Sequence, residues 1–168
     1  SVEDVRLIAG PLAQALDEAH IRGVVHRDLK PANIKGLTSG QFAILDFGLA
    51  RRLDRDHAGG FSGTPAYTAP EQARGQPTDG RADQYALALI VYELLCGRRP
   101  FAATAPEDYL RLHAEELAPN IRTFAPSVPV VVASALAIAL AKDPAGRFDT
   151  CVAFATALGC SPASAAIA

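Results

Sequence analysis

The chain has 168 residues, of which 49% are hydrophobic and 20% are charged. These proportions predict one folded domain and exclude a disordered segment as the default interpretation. The 16 basic and 18 acidic residues leave a net charge of −2, so the composition provides no electrostatic footprint for nucleic acid or for an anionic membrane. The cysteines share no metal-ligand spacing and are interpreted as free thiols of a reducing compartment; they are Cys96, Cys151 and Cys160.

Neither the first residues nor the longest apolar run predicts a targeting or membrane-spanning segment. Residues 1–4 lack the charged and apolar regions of a signal peptide. Residues 128–141 contain Pro129 and are too few to cross a bilayer, so they are predicted to form a buried helix. We therefore expect no nucleic-acid partner, no membrane contact from this segment and a cytoplasmic location, with any membrane anchor outside the segment. The sequence contains no methionine, so we expect that other residues precede Ser1.

The first half of the chain is predicted to contain one helix, a short hairpin and a long loop. Apolar side chains recur at three- and four-residue spacing between residues 4 and 21, which predicts an amphipathic helix that ends before Gly23. An irregular stretch follows. Two short strands are expected on either side of the turn at residues 38–40, the second of them at residues 41–45. Residues 46–71 show no periodicity and are predicted to be a long loop, which in a compact domain is usually functional or disordered.

The second half of the chain is predicted to be helical. Residues 83–96 are apolar nearly all round, and a helix without a polar face must be buried on every side. We expect this helix to lie at the centre of the domain, with Asp83 placed to cap it. Further helices are predicted near residues 106–116, 130–141 and 150–158, and residues 161–168 are expected to be a frayed tail or a linker.

Two short motifs carry the chemistry. Residues 26–33 read H-R-D-L-K-P-A-N, and D-F-G follows at residues 46–48. These motifs resemble the catalytic loop and the metal-binding motif of the protein kinase family. The resemblance implies that Asp28 orients the attacking hydroxyl and accepts its proton, and that Lys30 places a cation beside the transferred phosphate. Asn33, a further catalytic position, and Asp46 are implied to supply oxygen ligands for magnesium, and pairing of the two predicted strands would bring them together.

Other positions in and around these motifs match the family and are implied to support the site. His26 is implied to pack and hydrogen-bond within the catalytic loop, and Arg27 to bind a phosphate on the activation segment. Ser62 is the candidate phosphosite, and an ordinary loop serine is an equally good interpretation of it. The remaining supporting positions are Phe47 and Gly48 of the metal-binding motif and Asp83, which matches the residue that holds the catalytic-loop backbone.

Residues 63–71 read G-T-P-A-Y-T-A-P-E and resemble the end of a kinase activation segment. Thr64 is implied to hydrogen-bond near Asp28 and Lys30 and to shape the substrate pocket. Glu71 is implied to form a buried ion pair with Arg147, and exposed positions for both are the less favoured interpretation. The lysine of K-P-A-N together with G-T-P favours serine and threonine over tyrosine as phosphate acceptors.

The resemblance covers residues 1–160 and implies the C-terminal lobe of the α+β protein kinase fold: mainly α, with a small β-hairpin at the catalytic loop. The sequence contains no glycine-rich phosphate loop. The chain is therefore expected to be a fragment of a bacterial-type serine/threonine kinase that uses ATP and Mg²⁺ on protein substrates, and to be inactive alone. One alternative is a pseudokinase or stand-alone lobe that binds proteins. A small-molecule phosphotransferase ranks last, because such enzymes typically lack Lys30 in this setting and the A-P-E segment.

Overall fold

The computed structural model describes residues 1–37, 42–46 and 64–160, together with the backbone of residues 51–52. Within these ranges the chain is mainly helical with two short antiparallel β-ladders, so the predicted fold class is confirmed. The helices are α1 (Val2–Ile21), α2 (Pro70–Ala73), α3 (Gly80–Cys96), α4 (Pro106–Glu115), α5 (Val130–Ala139) and α6 (Cys151–Ala157). The strands are β1 (Val24–Val25), β2 (Ile34–Gly36), β3 (Phe42–Ile44) and β4 (Arg51–Arg52).

Helix α1 supplies one wall of the core. Ser1 and Asp4 form a capping box, in which the Ser1 hydroxyl accepts the N–H of Asp4 and the Asp4 carboxylate accepts from the backbone nitrogen of Ser1. Gly23, with a φ of 73°, turns the chain from the end of the helix into β1. One face of the helix packs against α3 and α6, and its buried residues are Val5, Ala9, Leu12, Ala13 and Leu16.

Helix α3 lies at the centre of the domain. Every residue from 82 to 92 is buried, as the apolar sequence predicted. The helix begins at Gly80, and Asp79 caps it by accepting the N–H of Arg81. The prediction that Asp83 caps this helix was therefore wrong. Asp83 lies one turn inside the helix with its side chain buried, and composition alone does not distinguish two aspartates so close in sequence.

The β-ladders include one that the sequence predicted and one that it did not. The β2–β3 hairpin pairs Ile34 with Ile44, whereas the second ladder pairs Val24 of β1 with Arg52 of β4. Residues 46–71 also contain a 3₁₀ turn at Pro65–Tyr67 and the start of helix α2. The prediction of an irregular stretch after Gly23 was therefore wrong at β1. The prediction of a continuous long loop was wrong at β4, at the 3₁₀ turn and at α2. Elements of two to four residues are too short to show a periodicity, and a β-ladder forms only when its distant partner is present.

Helix α5 lies at the surface of the domain. Its inward side, including Val132 and Leu136, packs against α3 and α6. Val130, Val131 and Ile138 are 60%, 69% and 43% exposed. The prediction of a buried helix was therefore only half right, because apolar sequence does not determine whether the fold covers every face of a helix. In the ranges that the structure describes, no helix is both long enough and apolar enough to span a bilayer.

Helix α6 is fastened to α1 through its first turn. The carboxylate of Asp17 accepts the N–H groups of Cys151 and Val152, each at 2.9 Å. The side chain of Thr150 accepts the N–H of Ala153 and caps the helix. These bonds satisfy donors that a helix N-terminus leaves without intrahelical partners. The cysteines are free thiols, as the sequence predicted.

Candidate active site

Asp28 presents a carboxylate that is held from two sides. Nζ of Lys30 donates a hydrogen bond to Oδ2 at 2.7 Å, and the backbone N–H of Thr64 donates to Oδ1 at 2.7 Å. Partial burial by itself raises the pKa of Asp28, but the hydrogen bonds from Lys30 and Thr64 and the lysine charge outweigh it and lower the pKa below its ordinary value. Asp28 is therefore ionised at neutral pH and can orient a hydroxyl and accept its proton.

Lys30 connects Asp28 to the start of the described activation segment. Its Nζ also donates to Oγ1 of Thr64 at 2.8 Å, so the ammonium contacts both Asp28 and Thr64. The side chain of Lys30 is 27% exposed, whereas that of Asp28 is 9% exposed. A cation that is fixed on one side and open on the other can stabilise negative charge that approaches from the solvent.

Asn33 is fixed where the catalytic loop enters the hairpin. Its Nδ2 donates to the backbone oxygen of Asp28 at 3.0 Å, and its own backbone oxygen accepts the N–H of Leu45 at 2.8 Å. An asparagine side chain offers one amide nitrogen and one amide oxygen. Since the nitrogen is committed to Asp28, the oxygen is the side-chain atom that remains for a cation.

The hairpin register places Asp46 at the same end as Asn33. Leu45 hydrogen-bonds to Asn33, and Asp46 is the next residue, exposed and with a φ of 65°. Aspartate tolerates this left-handed conformation better than most residues because of its short polar side chain. A carboxylate and an amide oxygen at one hairpin end form a donor set of hard oxygens, which fits Mg²⁺.

A buried aspartate of α3 holds the backbone of the catalytic loop. Oδ2 of Asp83 accepts the N–H of His26, and Oδ1 accepts the N–H of Arg27, both at 2.8 Å. Arg27 has a φ of 67°, a conformation that costs a non-glycine residue about 1–2 kcal/mol. Hydrogen bonds to a charged acceptor are strong enough to offset this strain. Asp83 therefore shapes the loop that presents Asp28.

His26 links the catalytic loop to the hairpin. Its buried ring lies with Nδ1 at 3.2 Å from the backbone nitrogen of Asp28 and Nε2 at 3.1 Å from the backbone oxygen of Leu45. Because Nδ1 accepts the N–H of Asp28, Nε2 carries the proton and donates to Leu45. One ring thus joins Asp28 to the hairpin end that carries Asp46.

The end of the activation segment is anchored by a buried ion pair. Arg147 donates to the two carboxylate oxygens of Glu71 at 2.8 and 2.7 Å, and the side chains are 0% and 3% exposed. Nε2 of Gln72 donates to the backbone oxygen of Arg27 at 2.9 Å. Helix α2 is therefore tied both to the core, through Glu71, and to the catalytic loop, through Gln72.

Comparison with known proteins identifies the family of the chain. The protein kinase domain matches residues 1–150 of the chain. The chain belongs to the protein kinase family. It is 38% identical, over 88% of its length, to a probable serine/threonine-protein kinase of Corynebacterium efficiens. It is 40% identical over 90% of its length to serine/threonine-protein kinase Pkn1 of Myxococcus xanthus, and 39% identical over 89% to PknJ of Mycobacterium tuberculosis.

The predicted resemblance to bacterial-type serine/threonine kinases is confirmed by these relatives. The matched regions cover 24%, 23% and 27% of the three relatives. The kinase chain therefore spans about a quarter of their length.

His20 of the kinase chain is in contact with Asp83, and nothing in the sequence alone marked it as part of the site. Its Nε2 is 2.7 Å from Oδ2 of Asp83, and its Nδ1 is 3.6 Å from Oδ1 of Asp17. Burial by itself lowers the pKa of His20, but its contacts with the two carboxylates outweigh burial and raise the pKa to about 9. The spacing of Asp17 and His20 on one face of α1 is the signal that could have indicated half of this arrangement.

The turn at Pro65–Tyr67 is held by two contacts that no local pattern of the kinase sequence indicates. The hydroxyl of Tyr67 donates to Oε2 of Glu93 at 2.6 Å, and Nε2 of His113 lies 3.2 Å from the backbone oxygen of Ala66. The partners are 26 and 47 residues apart in sequence. Because the turn directly follows Thr64, these contacts also support the residue that hydrogen-bonds to Asp28.

The structure thus brings Asp28, Lys30 and Thr64 into contact. It sets Asn33 and Asp46 at one end of the hairpin of the kinase chain. Phe47, Gly48 and Ser62 lie outside the described residues, and their roles stay predictions.

Proposed function

We propose that the chain forms the catalytic and acceptor side of a protein kinase that transfers the γ-phosphate of ATP to serine or threonine of protein substrates. The observation that carries this proposal is the contact of Asp28 with Lys30 and Thr64, because it joins a hydroxyl-orienting carboxylate to a cation. Membership of the protein kinase family supports the chemistry. The names of the relatives, all serine/threonine-protein kinases, support the choice of acceptor.

On the acceptor side, Asp28 orients the substrate hydroxyl for in-line attack on the γ-phosphorus of ATP. It takes the hydroxyl proton as the new oxygen–phosphorus bond forms and the bond from the γ-phosphorus to the bridging oxygen breaks, which releases ADP. Its lowered pKa keeps it ionised at neutral pH. Lys30 remains beside the transferred group and balances its negative charge. Thr64 contacts both side chains and so sets their separation and one wall of the acceptor pocket.

On the nucleotide side, Asn33 and Asp46 are the proposed magnesium ligands. When bound, Mg²⁺ neutralises charge on the phosphates of ATP. The contribution of the chain is to hold two oxygen donors at one end of the β2–β3 hairpin. Asn33 is oriented there by its hydrogen bonds with Asp28 and Leu45.

We further propose that residues 1–160 are the C-terminal lobe of a cytoplasmic kinase and that residues 161–168 are a tail. The match of the protein kinase domain to residues 1–150 and the mainly helical fold support the assignment of the lobe. Positioning supplies most of the rate of phosphoryl transfer, so the chain without a nucleotide-clamping lobe turns over negligibly. Phosphorylation of Ser62, with the phosphate bound by Arg27, is the proposed activating event.

The test measures phosphate transfer from ATP by the full-length protein to a degenerate peptide library containing serine, threonine and tyrosine. We expect Mg²⁺-dependent transfer to serine and threonine. Asp28→Asn should lower kcat by about 10²–10⁴-fold, because it removes the group that accepts the hydroxyl proton. Asp108→Asn, which changes an exposed carboxylate in the first turn of α4, is the matched control. Absence of transfer by the wild-type protein to every peptide would reject the proposal and favour the protein-binding module.

A further inference from the structure

A buried histidine connects the central helix to the turn beside the catalytic carboxylate. His113 lies on α4 and is 1% exposed. Its Nδ1 is 3.1 Å from the hydroxyl of Tyr85 on α3, and its Nε2 is 3.2 Å from the backbone oxygen of Ala66. Ala66 is the second residue after Thr64, whose N–H donates to Asp28. A series of contacts therefore leads from Tyr85 in the core through His113 to the Pro65–Tyr67 turn, and from there through Thr64 to Asp28.

The two partners define which nitrogen of His113 carries the proton. A backbone oxygen can only accept, so Nε2 is the donor to Ala66, and Nδ1 accepts from the hydroxyl of Tyr85. Burial raises the pKa of Tyr85. Burial, together with the charge of Lys142, lowers the pKa of His113 to about 4. Both side chains are therefore neutral at physiological pH, which is the state that both hydrogen bonds require.

The ring of His113 is also held in place by packing. Phe101 and Tyr85 contact it edge to face, with ring centroids 5.0 and 5.8 Å away. Nζ of Lys142 donates to the backbone oxygen of His113 at 2.7 Å, which fastens this part of α4 to the segment before Arg147. The His113 ring is neutral, is held by its neighbours and donates to the backbone oxygen of Ala66. It therefore fixes the position of that oxygen.

We infer that His113 is a positioning residue for the acceptor peptide: it holds the Ala66 carbonyl and so keeps the Pro65–Tyr67 turn where Thr64 meets Asp28. The kinetic part of this inference rests on the proposed function. An acceptor side chain that reaches Asp28 brings its flanking residues over Thr64 and the turn. Thr64 itself stays bonded to Asp28 and Lys30, so loss of the support displaces mainly the turn that follows it. The loss therefore weakens binding of the peptide more than it slows the transfer of phosphate.

Three variants separate hydrogen bonding from packing. His113→Phe keeps an aromatic ring in the site and removes both hydrogen bonds. His113→Gln returns a donor that can reach the carbonyl of Ala66. Phe154→Leu is the control for a general loss of stability, because Phe154 is a core residue of α6, which packs against α1, α3 and α5.

The first measurement is steady-state kinetics of the full-length protein with the best-phosphorylated peptide of the degenerate library. His113→Phe should raise the KM for the peptide about tenfold, while kcat and the KM for ATP change by less than about twofold. His113→Gln should recover most of the loss, and Phe154→Leu should leave the peptide KM near the wild-type value. An unchanged peptide KM in His113→Phe, or an equal loss in His113→Gln, overturns the inference.

The second measurement is amide hydrogen exchange in the 168-residue chain, which does not depend on kinase activity. The amides of Tyr67 and Thr68 donate to backbone oxygens within the turn and report its opening. They should exchange about tenfold faster in His113→Phe and at nearly the wild-type rate in His113→Gln. Equal rates in all variants overturn the inference. Should the wild-type protein phosphorylate no peptide, the proposed function fails, and these rates still decide whether His113 holds the turn.

Discussion

Replacement of Arg147 by methionine tests the ion pair that anchors the activation segment. The change leaves the buried carboxylate of Glu71 without its partner, and the backbone oxygens of Ala141 and Arg81 lose donors at 2.9 Å. Removal of one member of a buried ion pair costs about 3–5 kcal/mol. A domain of this size has a free energy of unfolding of about 5–15 kcal/mol. We therefore expect Arg147→Met to lower the free energy of unfolding by about 3–5 kcal/mol and the Tm by about 6–20 °C.

The assay is urea unfolding of the 168-residue chain followed by circular dichroism, since the chain has no tryptophan for fluorescence. Asp149→Asn is the control, because it breaks a pair with Arg81 in which the Asp149 side chain is 90% exposed. The control should change the free energy of unfolding by less than about 1 kcal/mol. Glu71→Leu combined with Arg147→Met should recover part of the loss, because no buried charge is then left unpaired. If Arg147→Met costs no more than the control, or if the double variant is no more stable than the single one, the buried ion pair does not anchor the segment.

Two further predictions concern titrating groups at the catalytic loop. The pKa of His20 is raised to about 9 in the folded state, so the stability that its charge contributes is fully present below pH 6.5 and is lost as the pH rises through 9. Between pH 6.5 and pH 9, the free energy of unfolding should fall by about 1–2 kcal/mol more in the wild-type chain than in His20→Gln, as measured by urea unfolding. An equal fall in the two proteins would contradict this prediction. In the full-length protein, Lys30→Met should lower kcat at least about 10²-fold. The same change should move the acidic limb of the pH–rate profile to higher pH, because Asp28 loses the hydrogen bond and the charge that lower its pKa. An acidic limb at the wild-type pH would show that Lys30 does not act on Asp28.

Helices α1, α3 and α4 could be predicted because the periodicity of a helix lies in residues that are neighbours along the chain. Their boundaries were less accurate, since α3 begins at Gly80 rather than near Asp83. The exposed side of α5 could not be predicted, because hydrophobicity indicates that burial would be favourable but not which surface covers the helix. The β1–β4 ladder is the extreme case, since its two strands have two residues each and are far apart in sequence.

Part of the candidate site could also be predicted, because some of its residues are neighbours along the chain. Asp28, Lys30 and Asn33 lie within one short motif, and the spacing to Asp46 indicated the second. The contacts that orient these residues are different, since Thr64 and Asp28 are 36 positions apart. Without the family resemblance, nothing in the local sequence would have joined them.

By itself, the sequence determined the main helices, the family of the chain and the residues that are candidates for its chemistry, because each is expressed in short segments. Only the tertiary structure decided that Asp79 rather than Asp83 caps α3, that His20 is charged and that His113 is neutral. Charge state and hydrogen bonding depend on burial and on distances of a few ångströms between groups that folding brings together. Residues far apart along the chain acquire those distances only when the helices pack.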